Sequence, residues 1–546
     1  MTQNTKHDIQ PPEQSASGTW RTDVLIIGGG ATGTGIARDL ALRGVACILA
    51  EWRDAAAGAS GANHGLLHSG ARYVAADREA AAECREEGDI LKRTAAHCIE
   101  NTGGLFVSVA GDDPDYGEAF PALCAAAGIT ATPMDPEEAR EKEPALSPRL
   151  VRAFQVPDAS VDPFRLCLDL MAHATSVAGS VFLPHTRITG LDIKKGRILA
   201  ALAEHPVHGS IRIEARQYVN AAGAWGMGIA AMAGARVPMV FSKGTLLVTH
   251  DRLATRVINR LRPAGNGDIL VPGGTVSVLG TTSVRLKTLD DISPTVAEVE
   301  ENIREGSPMV PALSSVRYIR SYAGVRPLAG DGAEDRSVSR NFSLVDHSLP
   351  NQGGIENMLT ISGGKLTTFR LMAERTCDEL CARLGVSAPC LTRTTPLPAT
   401  AASSWTEPGR SAREWLTHHE AENPVQCECE MVQSDSLKEI VASLPDAENS
   451  LLHAIGLRSR VGKGPCQGAF CSVRITSALY DNGDFHTDEG ISQLTAFLRS
   501  RFKGQKPILW GAQLAQWELA EALHCGLFSL EHLTCSENST EGGRNE

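Results

Sequence analysis

Two sets of residues in this chain have the types and spacing that chemistry needs. Near the N-terminus, Gly28-Gly29-Gly30-Ala31-Thr32-Gly33 follows the apolar run Val24–Ile27, and the acidic Glu51 stands after a second apolar run. Gly28 would make a tight turn, Gly30 would admit a pyrophosphate to the backbone, and Gly33 would let a helix pack closely on the strand. Phosphates would then sit at the electropositive start of that helix, beside Ala31 and Thr32. Glu51 has the spacing of a carboxylate that accepts ribose hydroxyls and repels a phosphate at the same place. Near the other end, Cys427-Glu428-Cys429 and Cys466-Gln467-Gly468-Ala469-Phe470-Cys471 supply four thiols in two close pairs, with Gly464 and Gly468 leaving backbone room. Four such thiolates, Cys427, Cys429, Cys466 and Cys471, could ligate both irons of a [2Fe–2S] cluster. Structural zinc also takes four cysteines, although its usual knuckle is Cys-x2-Cys, and reduced, unligated thiols are a third possibility. The soft ligand set, in a chain that also carries a redox dinucleotide motif, favours iron and sulfide.

The elements that must position these residues read as strand, glycine turn, helix. After Val24–Ile27 the spacing of Ile36, Leu40 and Leu42 predicts a helix, and Val45–Ala50 a second strand. The stretch Ala55–Tyr73 that follows is long, polar and rich in small residues, and it carries His64, His68 and the pair Arg72-Tyr73. Long loops inside compact domains are usually functional or disordered. A flavin is held along its length by backbone amides, so this loop favours FAD over NAD, with Ser60, His64, Gly65 and Leu66 as flavin-side candidates. Two further strand-to-glycine turns repeat the logic. One is Tyr218–Trp225, where Ala222, Gly223 and Trp225 stand where a cofactor would crowd the backbone; the other is Met358–Leu384, where Gly364, Lys365, Leu366 and Thr367 open a helix. Tyr318–Leu328 is a strand leading to Arg326.

Between these turns lie a long helix over Asp77–Cys98, a strand over Gly104–Ala110, and a helix starting at Asp162-Pro163. Val181–Val219 has the alternation of a β-meander with a turn at Lys194-Lys195-Gly196, and Val237–Thr249 and Asp268–Thr281 read as strands of a second sheet. The expected fold class is therefore α/β. Residues 1–20 form a disordered polar tail and residues 21–385 an oxidoreductase unit, nucleotide-binding over about 21–80, 150–235 and 355–385 and substrate-binding over about 81–149 and 236–354. A proline-, serine- and threonine-rich linker covers 386–424, a cysteine-bearing domain 425–485, and helices with a tail 486–546, in which Trp510, Leu514 and Trp517 either pack inward or form a docking face.

At 546 residues the chain can hold two or three cored domains, and its formal charge of −12, with no basic block, argues against nucleic acid as a partner. No run of about 18 apolar residues is present, so no membrane span is expected. The polar N-terminus lacks a secretion core, and the 14 cysteines are scattered through helical stretches, which suits a reducing cytosol.

Taken in order, GGGATGTG, SGANHGLLHSGARY, NAAGAW, GVRPL and SGGKLTTFRLMAE resemble the FAD-dependent glycerol-3-phosphate dehydrogenases of the glycine-oxidase-like flavoprotein group, and the cysteine-bearing extension resembles that of their anaerobic, multi-subunit branch. The resemblance runs from about Thr22 to about Leu530. It implies a Rossmann-like FAD domain with an inserted α+β substrate domain, followed by a bacterioferritin-associated-ferredoxin-like (BFD-like) [2Fe–2S] domain and a helical tail. It further implies oxidation of sn-glycerol 3-phosphate to dihydroxyacetone phosphate, with electrons passed through partner subunits to membrane quinone, and a cytoplasmic chain held peripherally at the membrane by those partners. Matched to the family motifs, Arg72, Tyr73, Arg326, Arg340 and Lys365 would bind the phosphate, since arginine's planar fork matches its oxygens. His68, Arg326 and Lys365 are the catalytic candidates. The single-subunit branch has a histidine soon after Lys-Gly, whereas this chain reads Lys243-Gly244-Thr245-Leu246, so the base falls to a histidine elsewhere: His68, His64 or His250. An FAD-dependent amine or amino-acid oxidoreductase is the competing expectation, because fold does not fix substrate.

Overall fold

The computed structural model describes residues 11–15, 18–330, 341–444 and 450–532. Val24, Leu25 and Ile26 are completely buried, as a strand covered on both faces by other elements must be. Their strand, Thr19–Ile27, lies between Cys47–Ala50 and Gly209–Asn220 and is parallel to both. The helix Ala31–Leu42 packs on one face of this sheet against Pro163–Ala178 and Phe369–Leu384. Asp162 caps the second of these, accepting from the amides of Phe164 (3.0 Å) and Arg165 (3.1 Å) ahead of Pro163.

Gly209–Asn220 uses its second edge twice. Its first half pairs antiparallel with Arg197–His205, which continues to Arg187–Lys194 through a turn at Lys195 (φ 51°) and Gly196 (φ 74°). Its last residues, Tyr218–Asn220, pair parallel with Met358–Gly363. All three glycine turns thus open at the same end of one nine-stranded sheet. Val181–Leu183 is not part of the meander: it pairs parallel with Cys47–Ala50 at the far edge, because a short alternating segment fits either place.

A second nine-stranded sheet is built mainly from 239–329. Its long strands Met239–Thr249 and Tyr318–Ala329 run antiparallel with Ser242 opposite Arg326 and Gly244 opposite Gly324. Leu150–Val156 belongs to this sheet through Gly104–Val109, and Phe342–Asp346 to the first through Met358–Gly363. The boundaries expected near 150 and 354 therefore shift at these two strands.

The segment 386–424 does not hang free as a linker. Leu397 is buried and its amide donates to Thr94 O (2.6 Å), Arg38 donates to Thr395 O (2.7 Å), and Thr400 bonds Asp169 through both amide (3.0 Å) and hydroxyl (2.5 Å). Beyond it, helices Ser434–Ala442, Leu451–Arg458, Cys471–Asp481 and Glu489–Gln505 enclose their own core, including Ile455, Ile475, Phe485 and Leu494. Among the contacts that dock this unit on the first are an ion pair and a hydrogen bond. Arg458, 5% exposed, forks onto Asp54, 1% exposed, at 2.6 and 3.0 Å, and Ser321 Oγ donates to Gly504 O at 2.8 Å. The tail divides: Trp517 stacks on Phe502 with centroids 4.4 Å apart, while Trp510 and Leu514 are 43% and 39% exposed. Among the described residues no helix is long and apolar enough to cross a membrane.

Candidate active site and cysteine tetrad

The first glycine turn has no room for side chains. Gly28 has φ +115°, and a Cβ there would lie 2.6 Å from Ala221 O; a Cβ on Gly33 would strike Gly28 O, so Gly33 serves helix packing rather than lining the cavity. Glu51 Oε2 accepts from Gly29 N (2.6 Å) and Oε1 from Arg53 N (2.8 Å). Burial pushes the Glu51 carboxyl up from its ordinary value, an effect these amides oppose. No side chain caps the helix at Gly30, but Ala31 N donates to Ser60 Oγ (2.9 Å), which pins the following loop over the helix start. A dinucleotide's phosphates and ribose fit this cradle of amides and one carboxylate.

From that turn a cavity of ≈ 490 Å³ extends to the second sheet, within the range of small-molecule sites. Gly30, Ala31, Thr32, Glu51, Ser60, His64 and Leu66 line it, as do Ala222, Gly223 and Trp225 of the second turn and Gly364, Lys365 and Leu366 of the third. At the far end stand His68, Arg72, Tyr73 and Arg326. Arg72, Arg326 and Lys365, from separate segments, therefore share one cavity with the nucleotide cradle, where Arg53 and Arg187 also stand, on a chain of net negative charge.

Each is held differently. Arg326 donates to Ser242 Oγ (3.5 Å), Thr282 O (3.3 and 3.4 Å) and Thr281 Oγ1, and it lies flat over Gly244, where a Cβ would collide with its guanidinium. Arg72 reaches Asp268 (3.3 Å) and Gly265 O (3.3 Å). Lys365 Nζ sits 5.0 Å from the centre of the Tyr73 ring, a cation–π distance. Tyr73 OH and His68 Nε2 are 3.4 Å apart. The loop carrying these groups is fixed by Asp158, fully buried among polar partners, which accepts from Ser69 N (2.7 Å) and Asn259 (3.1 Å).

Two expected cofactor residues act at one remove. Thr367 is buried and its hydroxyl accepts from His68 N (3.1 Å), and Gly65 (φ +68°) packs on Val161 O, so neither lines the cavity. Neither Lys243 nor His250, just past the end of its strand, lines the cavity: Lys243 pairs with Glu298 (3.0 Å) and His250 with Asp251 (2.8 Å). Arg340 lies outside the described residues. Sequence reading missed Ser242, Thr281 and Thr282, the oxygens that aim Arg326, and Arg187, whose guanidinium lies 5.0 Å over the Trp52 ring beside Glu51. Only the register of two long strands could have revealed Ser242, and only the path of the connection after Val276–Gly280 the two threonines.

The four cysteines converge. Cys466 is hydrogen-bonded by the thiols of Cys429 and Cys471 and by the amides of Gly468 and Phe470, which hold it well below the ordinary thiol range; Cys427 meets Cys471 and the amides of Glu430 and Gly462. A Cβ on Gly464 would collide with Cys429. Convergent sulfurs with backbone donors suit a thiolate-bound metal centre.

Residues 23–379 match the FAD dependent oxidoreductase family. The chain is 41% identical over 534 residues to the A subunit of anaerobic glycerol-3-phosphate dehydrogenase from Escherichia coli (strain K12), an alignment covering 93% of this chain and 97% of that protein. Among solved structures, glycerol-3-phosphate dehydrogenase from Bacillus halodurans complexed with FAD superposes with a TM-score of 0.60 at 20% identity, over 90% of this chain and 96% of that one. Glycine oxidase from Geobacillus kaustophilus does so at 0.53 and 20%, over 70% and 99%. These two likenesses concern the fold alone; the sequence identity and the family match together place the chain in the FAD dependent oxidoreductase family and, within it, in the family of anaerobic glycerol-3-phosphate dehydrogenase A subunits.

Proposed function

We propose that this protein oxidises sn-glycerol 3-phosphate to dihydroxyacetone phosphate on FAD, and that electrons leave through a [2Fe–2S] cluster to partner subunits and membrane quinone. The observation that carries the reading is the convergence of Arg72, Arg326 and Lys365 on the cavity that begins at Gly28 and Glu51. Glu51, the amides of the first turn and Ser60 would hold the adenosine and pyrophosphate, and Ala222, Gly223, Trp225, His64 and the Gly364–Leu366 turn would hold the flavin. Bound FAD supplies the acceptor for the C2 hydride. Arg326 and Lys365 take the phosphate, with Arg72 beside them, fixing the position of C2. His68 accepts the hydroxyl proton, with the Tyr73 phenol at 3.4 Å to orient the ring or relay the proton.

The all-thiolate donor set, with backbone amides facing Cys466 and Cys427, supports iron–sulfur over zinc. With no described helix able to cross a membrane, contact with quinone falls to partner subunits, and the chain sits peripherally on the cytoplasmic face.

Anaerobic stopped-flow reduction tests the reading. Glycerol 3-phosphate should bleach the flavin, while glycine and sarcosine should not; the reverse would make this an amino-acid oxidoreductase. Anaerobically purified protein should contain iron and acid-labile sulfide, and zinc in their place would remove the cluster from the scheme.

A further inference from the structure

The strand Tyr318–Ala329 joins the two sites. Successive residues of a strand alternate in direction, so Arg326, Gly324, Tyr322 and Arg320 share one face. Arg326 lines the cavity. Gly324 lies so close to Ala62 O in the flavin-side loop that a Cβ would collide with it, and Tyr322 OH donates to Asn63 O of that loop at 2.7 Å. Arg320 lies against Gly504, where a Cβ would be 2.9 Å from its Cγ and 3.0 Å from its Nε. One helical turn back on the same helix is Arg501, stacked 5.0 Å over the Phe497 ring. A Cβ on Gly462, whose amide bonds Cys427, would be 3.2 Å from the Arg501 guanidinium.

Charge is distributed unevenly around the four sulfurs. On the outer flank, where Cys429 is exposed and Phe470 is 41% exposed, Arg474 is paired with Glu428; the more buried Arg460 pairs with Glu430 at 3.2 Å, and half-buried Lys463 has both Asp162 and Glu430 to favour its charge. On the flank toward the flavin cavity, Arg320 and Arg501 have no carboxylate among their interacting groups within the described residues; burial disfavours the charge of each and the two repel, while Tyr322 favours that of Arg320, and the Phe497 ring, Cys471 and Cys466 favour that of Arg501. Half-buried cations without acids are costly unless something anionic faces them. An all-thiolate [2Fe–2S] centre is anionic and gains a further negative charge on reduction, and its potential follows local charge and hydrogen bonding.

We propose that Arg320 and Arg501 form an electrostatic bridge between flavin and cluster: their guanidinium charge stabilises the electron that the cluster accepts, raising its reduction potential and directing transfer inward from the cavity to the sulfurs. This rests on the iron–sulfur reading above. Each transfer takes one electron from reduced flavin and converts one ferric iron to ferrous. The second follows when the partner acceptor has reoxidised the cluster, and the protons of the reduced flavin go to solvent.

The test is a redox titration, followed by electron paramagnetic resonance, of the full-length, iron-loaded chain as wild type, Arg501→Gln, Arg501→Lys and Arg320→Gln. Arg501→Gln should shift the cluster's reduction equilibrium about tenfold toward the oxidised form, ~59 mV for a one-electron couple, with iron and sulfide content unchanged. Arg501→Lys should stay near wild type, and Arg320→Gln should move the same way by less. The KM for glycerol 3-phosphate should not change. An unshifted potential in Arg501→Gln with the cluster intact overturns this inference and leaves the proposed function standing; a wild type without iron overturns both. Should Arg501→Gln lose its cluster, Arg320→Gln decides, and a wild-type potential there sinks the bridge.

Discussion

The cavity takes its lining from strands and turns scattered between Ile27 and Met372, whereas the tetrad takes its four sulfurs from two short segments, Cys427–Cys429 and Cys466–Cys471. In the cavity each functional side chain is aimed by a separate rigid element: Arg326 by its strand partner, His68 by Thr367, Tyr73 by a short turn after Gly70. In the tetrad the backbone itself points at the sulfurs. The contrast matches the two chemistries. Moving a hydride and a proton demands orientation of several groups at once, while storing one electron demands soft ligands and amide donors. Loss of one element should therefore blunt the cavity but abolish the tetrad.

Variants can break that comparison in order of size. Cys466→Ser should remove iron and end electron delivery to an external acceptor, while glycerol 3-phosphate still bleaches the flavin at close to the wild-type rate; iron analysis and stopped-flow absorbance report the two halves separately. Arg458→Met leaves Asp54 buried without its guanidinium and should cost about 3–5 kcal/mol in denaturant titration, loosening the C-terminal unit while the nucleotide cradle persists. The same pair gives a pH signature. Burial pushes the Asp54 carboxyl up, but Arg458 pulls it further down, so its folded value lies below the ordinary one. Its contribution is present above the unfolded value of about 3.9 and is lost as pH falls through the still lower folded value. Arg458→Met should flatten this acid dependence, and an identical acid profile would mean that the ion pair does not hold the units together.

Smaller effects sharpen the cavity side. Arg326→Ala should lower kcat/KM for glycerol 3-phosphate at least about 30-fold, from the roughly 2–5 kcal/mol lost with one member of a buried charged contact, with cluster content untouched. Gly244→Ala places a methyl where the Arg326 guanidinium lies. Because the far end of an arginine can move, a roughly tenfold rise in KM, ~1.4 kcal/mol, is expected with little change in stability. Equal KM values for Gly244→Ala and wild type would mean that the guanidinium's resting place is irrelevant to binding.

Much of this arrangement is legible in the chain itself. Val24–Ile27, the glycine turn and Glu51 are local in sequence, and so are the two cysteine pairs; each carries its own signal within a few residues. What escaped was non-local. Ser242 is an ordinary strand serine, and only the register that sets it opposite Arg326 makes it a guanidinium acceptor; Thr281 and Thr282 lie in the connection after Val276–Gly280, and only the fold brings the Thr281 hydroxyl and the Thr282 carbonyl to the same guanidinium. Composition misled at 386–424, where proline, serine and threonine suggest a free connector but Leu397 and Thr400 anchor it. Periodicity misled at Val181–Leu183, since alternation of three residues cannot tell a meander from a parallel edge. His250 follows directly on the strand of Lys243, yet both are committed to acids away from the cavity.

The most direct measurement is a crystal structure of the anaerobically prepared, FAD-loaded protein with glycerol 3-phosphate bound. The account predicts the phosphoryl group within hydrogen-bond distance of Arg326 and Lys365, C2 facing the flavin and the C2 hydroxyl toward His68. A phosphoryl group lodged away from both cations would contradict it.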